Sequence, residues 1–240
     1  MTAVAALGFQ SCTDWDDHYD VTTDGSGVSD QTLWEQISNN PKLSNFAALM
    51  KKVGYDKALS TNQSYTVWAP SNDAFDFEKY NAMSDSLLKA EFLNNHIARG
   101  YHRATGEINE RVHLLNKKVM AFQGNGRYTL GNIAIDSTNM LGKNGIIHLM
   151  SSYMDFRPNF YEEFLRNENT TSLAQLYKSA MKREIDKENS IEGPIKDGAM
   201  TYLDTVYVES NKMFNYLNSK LTTEDSTYTM IVPTDKAWAT

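Results

Sequence analysis

Residues 64–76 read SYTVWAPSNDAFD, and the chain repeats the phrase at its end as TYTMIVPTDKAWAT over 227–240. Aligning Pro70 with Pro233 brings Tyr65/Tyr228, Thr66/Thr229, Ala74/Ala237 and the aromatic pair Phe75/Trp238 into register. A repeat of so long a period signals duplicated domains and not a solenoid. Residues 65–69 read as a buried strand that Pro70 ends. Ser71, Asn72 and Asp73 then offer side-chain oxygens to the exposed N–H groups of a helix start, with Asp235 and Lys236 standing in the places of Asn72 and Asp73. Phe75 and Trp238 fit as core aromatics that pin that helix. The second copy reaches only the beginning of its helix, so a second domain is expected to be incomplete on its C-terminal side.

Upstream of the phrase, Ser29 or Asp30 opens a helix carrying Leu33, Trp34 and Ile37. Asn40 is placed to cap a second helix, with Pro41 at its first position. Leu43, Phe46, Ala47, Met50 and Val53 share one face of it, and Gly54 ends it. Downstream, the spacing predicts a helix over 84–98 that aligns Leu88, Phe92 and His96. From Lys118 the apolar period becomes two. Residues 119–122, 128–130, 133–135 and 146–150 read as strands, with turns at Gly124-Asn125-Gly126, Gly131-Asn132 and Lys143-Asn144-Gly145. Helices followed by strands in one unit imply α+β with an antiparallel sheet. Arg157-Pro158-Asn159 marks a boundary, giving a first domain over 31–157 and a second over 158–240. In the second, 160–165 and 173–181 restart a helical pattern. Residues 182–198, with Gly193-Pro194, read as an inserted loop. Residues 201–208 have strand character, and 213–221 are helical.

These pieces, in this order, resemble the fasciclin-like (FAS1) domain family, whose fold is α+β with helices packed on an antiparallel sheet or wedge. The family's TVFAPTNDAF-type phrase is TVWAPSNDAF here, its LLxxHxxxG-like helix end is FLNNHIARG, and its NGVIHVID-type strand is NGIIHLMSS. The resemblance puts Thr66, Pro70, Asn72, Asp73, Phe75, His96, Gly145, Ile147, His148, Pro233 and Trp238 in structural roles. His96 and His148 are read as hydrogen-bonded core histidines and not as ligands. The family resemblance implies adhesion or protein interaction without catalysis.

The N-terminus carries a different message. Cys12, the single cysteine, ends a short apolar run over 3–11 that resembles the end of a bacterial lipoprotein signal. Residues 1–11 are then a signal remnant and Cys12 the lipidated residue. Phe9 and Gln10 depart from the usual pattern, and no Lys or Arg precedes the run; a start further upstream would supply those charges. The run is too short to span a bilayer. Residues 12–30 hold Asp14, Asp16, Asp17, Asp20, Asp24 and Asp30 with no basic residue, a composition that reads as a flexible acidic tether. An acidic stretch after the lipid-bearing cysteine resembles the surface-export signals of lipoproteins in the Bacteroides group. Asp85-Ser86-Leu87, Asp136-Ser137-Thr138, Asp204-Thr205-Val206 and Asp225-Ser226-Thr227 resemble that group's short O-glycosylation sequon. The expected location is the outer membrane, facing outward, with the periplasmic face as the alternative and lipid as the only membrane contact.

A net charge of −7 argues against nucleic acid as a partner. The chain carries no nucleophile elbow, no H-E-x-x-H and no phosphate-binding glycine loop. His96 and His102 are six positions apart, on different faces of a helix, with no acidic neighbour in sequence. No catalytic residue, cofactor or metal ligand is assigned. Two functions remain: an adhesion or protein-interaction module that binds a protein or glycan at the cell surface, and an accessory lipoprotein of nutrient uptake that binds a carbohydrate or small ligand. The second requires exposed aromatics, drawn from Trp15, Tyr101 or Tyr207, around a groove.

Overall fold

Helix α1 (Leu33–Asn39) starts where its N–H groups find acceptors. The Thr32 hydroxyl accepts the Glu35 N–H and the Glu35 carboxylate accepts the Thr32 N–H, so the helix begins there and not at Ser29 or Asp30. The computed structural model describes residues 28–166, 172–188, 190–224 and 226–239; Cys12, Trp15 and the acidic segment as far as residue 27 lie outside them. Asn40 caps a 3-10 turn (Pro41–Leu43) that leads into α2 (Ser44–Lys52), whose Phe46, Ala47, Leu49 and Met50 are buried. Gly54, with φ of 85°, ends that helix and hands over to α3 (Tyr55–Ala58).

Strand β1 (Tyr65–Pro70) follows, buried along its whole length. Next come α4 (Phe77–Asn81) and α5 (Asp85–Leu87), the latter running on as a π turn (Leu88–Phe92) and a 3-10 turn (Leu93–His96). The helical run therefore stops at His96, short of the expected Ala98. Ile97 and Ala98 instead form β2 (Ile97–Arg99), because its ladder with Val67, Thr66 and Tyr65 satisfies backbone groups that a longer helix would leave bare beside β1.

Strands β3 (Glu107–His113), β4 (Val119–Asn125), β5 (Arg127–Leu130), β6 (Ile133–Gly142) and β7 (Gly145–Met150) complete a sheet of seven in the order β2-β1-β7-β6-β5-β4-β3. All neighbours are antiparallel except β1 and β7, which run parallel in register from Tyr65/Gly145 to Pro70/Met150. The helices between these two strands in sequence make that parallel crossover possible. The end strands meet: Ala98 bridges Leu114, and the Leu115 N–H donates to the Ile97 carbonyl at 2.8 Å. The sheet thus curls round on itself, with one core under the helices and a second inside the curl. Tyr65, Val67 and Ala69 serve the first, and Trp68 the second, as alternation along a strand requires.

After residue 157, α6 (Phe160–Arg166) and α7 (Ser172–Ser179) are followed by β8 (Met181–Ile185), β9 (Ile191–Lys196), β10 (Ala199–Asp204), β11 (Tyr207–Asn211), α8 (Lys212–Tyr216) and α9 (Asp235–Trp238). Residues expected to form an inserted loop are therefore strands. β8 pairs with β11, and β9 pairs with β10 through a turn at Asp197-Gly198, both with positive φ. Asp-Gly between β segments is a hairpin signal, and it outweighs the Gly193-Pro194 breaker.

Gly145 is a point of closest approach. A Cβ there would lie 2.0 Å from the Tyr65 carbonyl oxygen and 2.6 Å from Leu33 Cδ1. Gly106, by contrast, faces open space at φ of 65°. Gly145→Ala is expected to lose about 3 kcal/mol in urea unfolding, and Gly106→Ala about 1–2 kcal/mol; equal losses at the two positions would remove the steric account.

Candidate functional site

The repeated phrase forms the corner at which β1 turns into helix. Thr66, fully buried, donates its hydroxyl to the Gly100 carbonyl at 2.8 Å and accepts the His102 N–H at 2.9 Å. Trp68 packs against His148, His102 and Phe122, and its indole N–H has no partner among the described residues. Beyond Pro70, the Ser71 N–H donates to the Met150 carbonyl and carries the β7 pairing past the proline. Asn72 does not cap the turn that follows it. Its Oδ1 accepts the Asn45 N–H at 3.0 Å and its Nδ2 donates to the Pro41 carbonyl at 2.8 Å, so it caps α2 from across the fold. Asp73 is exposed, and Asp76 caps α4 by accepting the Lys79 N–H. The helix start after the phrase is a short 3-10 turn with few free N–H groups, whereas the α2 start, capped in sequence by Leu43, needs an acceptor from elsewhere. Phe75 is buried against Tyr80 and Phe92, but Trp238, its counterpart, is 46% exposed, and Pro233 is exposed too. The core role expected of Trp238 is not what the structure gives it.

Both motif histidines are neutral clasps. His96 is fully buried; its Nε2 accepts the Met154 N–H at 3.0 Å while Nδ1 donates to the Phe92 carbonyl at 2.8 Å. His148 accepts the Asn139 N–H on Nδ1 at 3.3 Å and donates from Nε2 to the His102 carbonyl at 2.9 Å. Each ring uses one N–H and one lone pair, so the neutral form is the fitting one. Burial holds each down to a pKa of about 4. His102 lies apart from His96 in chemistry, its Nδ1 2.6 Å from Glu110 Oε1 and its Nε2 3.0 Å from the Arg99 carbonyl. Asn144 is a further clasp: its Oδ1 accepts the Leu33 N–H, and its Nδ2 donates to the Leu59 and Thr61 carbonyls. Ile147 is fully buried between Val67 and Met140 in the ladder.

Charge concentrates where residues beyond 157 meet the first unit. Lys89 Nζ lies 2.7 Å from Asp204 Oδ1, and Tyr55 donates to Asp204 Oδ2 at 3.2 Å. Burial and the Asp204 carboxylate push the Tyr55 hydroxyl pKa well up. Lys118, 4% exposed, reaches Glu162 at 2.5 Å and Glu224 at 2.7 Å. Between these anchors lies a cleft of about 480 Å³ lined by Asn94, Asn116, Tyr161, Arg183 and Tyr207 among others. The sequence reading gives Lys118 no site role and places Asp204 only in a triplet that resembles a glycosylation sequon, not in an ion pair. The available signal was a charge embedded in each of two β-patterned runs, KKVMAF and TYLDTVYV.

Among the described residues, no group of three or more His, Cys, Asp or Glu side chains is arranged to hold a metal ion. No helix among them is long and apolar enough to cross a membrane.

Two outcomes follow from the buried polar groups. Because the folded pKa of each clasp histidine lies below its unfolded value near 6.5, the unfolded chain binds the extra proton between the two. The stabilisation is complete above about pH 6.5 and is lost as pH falls towards 4, roughly 2 kcal/mol per histidine between pH 7 and pH 5. Urea unfolding at the two pH values checks this, and His148→Gln should remove about half of the dependence. Lys118→Met removes the buried cation shared by the half-buried Glu162 and Glu224 carboxylates and should destabilise the contact by about 2 kcal/mol, seen as faster hydrogen exchange in α6. Adding Glu162→Gln should recover part of the loss.

Residues 41–155 match the fasciclin domain family model. No curated protein matches the chain. Among solved structures, a FAS1 domain pair from the insect cell adhesion molecule fasciclin I aligns at 14% identity with a TM-score of 0.38. The alignment covers 52% of this chain and 50% of that one, so the chain spans about half the length of that structure. Over residues 41–155, then, this chain carries a fasciclin domain.

Proposed function

We propose that the chain is a non-catalytic, lipid-anchored surface protein in which tandem fasciclin-type units mediate adhesion or protein interaction. The observation that carries this reading is the inward use of the motif's polar groups. Thr66, Asn72, His96, Asn144 and His148 are all engaged in backbone hydrogen bonds within the domain. No nucleophile paired with a base emerges from them, and motif side chains spent on holding the scaffold together leave recognition to its outer surface. The second unit is read as a repeat of the first. The strongest support is Asp235, which aligns with Asn72: its Oδ1 accepts the N–H of Ser172 at the start of α7, as Asn72 accepts that of Asn45 in α2.

Lipidation at Cys12 supplies the anchor and the acidic residues after it the spacer, with the outer membrane facing outward as the location. A second reading, binding of a carbohydrate or small ligand, draws on the cleft and on Tyr207 at its wall. That ring is 37% exposed, and the Arg183 guanidinium lies 3.8 Å from its centroid, which leaves less aromatic platform than a sugar site needs. Tyr101, 49% exposed, is not among the residues that line this cleft.

The test has two arms. In cells, incorporation of a palmitate analogue is expected in the full chain and absent in Cys12→Ala; persistence of the label would sink the anchor. In vitro, beads coated with residues 13–240 are expected to adhere to protein-coated surfaces of the producing cells and to leave a glycan array blank. Saturable array binding would favour the second reading.

A further inference from the structure

We infer that the gap between β2 and β3 is a docking site for an acidic, extended segment of a protein partner, which adds as a strand to the open edge of β3. The inference rests on the protein-interaction reading and gives that partner its chemistry.

The two strands meet at one point. Ala98 bridges Leu114, just past the end of β3, and the Leu115 N–H donates to the Ile97 carbonyl. From Glu107 to His113, β3 pairs with β4 along one edge and, among the described residues, with no strand along the other. Beside that edge lies a cleft of about 560 Å³. Arg99 and His102 line it from the β2 side, Arg111 and His113 from β3, and Lys117 from the turn beyond. Every lining residue but Val206 falls within 41–155, so the cleft belongs to the fasciclin domain itself.

The charge of this place runs against that of the chain. The whole sequence carries −7, yet Arg99, Arg111 and Lys117 bring three cations to one cleft. Glu110 is the one carboxylate of the lining, and it is turned to His102, whose Nδ1 lies 2.6 Å away. Among the described residues, no carboxylate pairs with Arg111 or Lys117. Lys117 adds an independent sign. It sits at φ of 68°, a conformation that suits glycine and strains a lysine. Its side chain, not its backbone, therefore accounts for its place in the turn. The ammonium is held at the cleft by the Tyr207 carbonyl, 2.6 Å from Nζ.

The walls say what fits. Guanidinium groups take carboxylates in a fork, and the unpaired N–H and C=O groups of an edge strand take an extended backbone. Alternate side chains of an added strand fall on one face. Acidic residues at every second position thus present their carboxylates together. Glu107, at the far end of the edge, repels a longer acidic run, so the acidic part lies against the Arg111 end. Leu115 and Val206, both half-buried, offer aliphatic surface beside the charges. The lining holds no Tyr, Trp or Phe on which a sugar ring could stack.

The probe is a capped, labelled peptide, Glu-Thr-Glu-Thr-Glu, titrated into the full chain. Saturable binding that weakens as salt is raised is expected, with slower hydrogen exchange in β3 and unchanged exchange in β5. Arg111→Gln and Lys117→Gly should each weaken binding about tenfold. Lys117→Gly should also leave the melting temperature unchanged or raise it, which separates loss of the site from loss of the fold. No binding, binding that both variants leave intact, or binding without slower exchange in β3 overturns the inference. So does equally tight binding of Thr-Thr-Glu-Glu-Glu or of a sulfated oligosaccharide, because charge alone then accounts for it. Adhesion of coated beads keeps the two levels apart. Beads that adhere equally well with Arg111→Gln uphold the adhesion reading and overturn the cleft. A chain that binds the peptide while its beads fail to adhere loses the adhesion reading and keeps the site.

Discussion

The first unit depends on bringing two backbones, Tyr65 and Gly145, into parallel contact in the middle of the sheet. These strands are distant in sequence, and a parallel pair cannot be closed by a tight turn. The intervening helices and hairpins must therefore be held in place while β1 and β7 meet. The polar clasps are arranged around this seam. Asn144, one residue before the contact, gathers the start of α1 and the loop at Leu59 and Thr61. His148, within β7, reaches to Asn139 and His102 on the inside of the curl. His96 clasps the segment that leaves β7 through the Met154 N–H. A buried polar group that joins three segments restricts register more tightly than apolar contact does, since a slip of one residue would strand several donors at once.

Much of this was legible in the sequence, and what was missed has a consistent cause. Period and turn chemistry located α2, β4, β5 and β7, because those signals are local. Helix α1 was found but its first residue was not; the Thr32–Glu35 capping box is a local signal that the Ser29-Asp30 reading passed over. The parallel pairing of β1 with β7 could not be read from spacing, since it is set by a contact across the fold. The same holds for Asn72. An Asn after a strand reads as the cap of what comes next, yet its acceptor goes to α2. β3 was overlooked because its residues alternate without strong hydrophobicity: EINERVH shows the inside of the curl little more than Ile108 and Val112.

The second copy of the phrase shows how one sequence takes two environments. Tyr65 and Tyr228 sit on comparable helix-side cores, but Trp68 is enclosed and Ile231 is bare. The ionic contacts at Lys118 and Asp204 are of another kind, since they tie the residues beyond 157 to the fasciclin domain rather than build its core. Their charges are shared between partners far apart in sequence, which hides them from any reading of a single stretch.

The placement of β7 has a mechanical consequence. The start of α1 is hung on Asn144 at one end of this strand, and the chain leaves at the other end, where His96 holds Met154. Tension applied between the entry and the exit of the unit therefore runs along β7. Its hydrogen bonds to β1 and β6 are loaded together, in shear, and do not open one after another. Under such a pull the lifetime of the unit is set by the rate at which this seam slides.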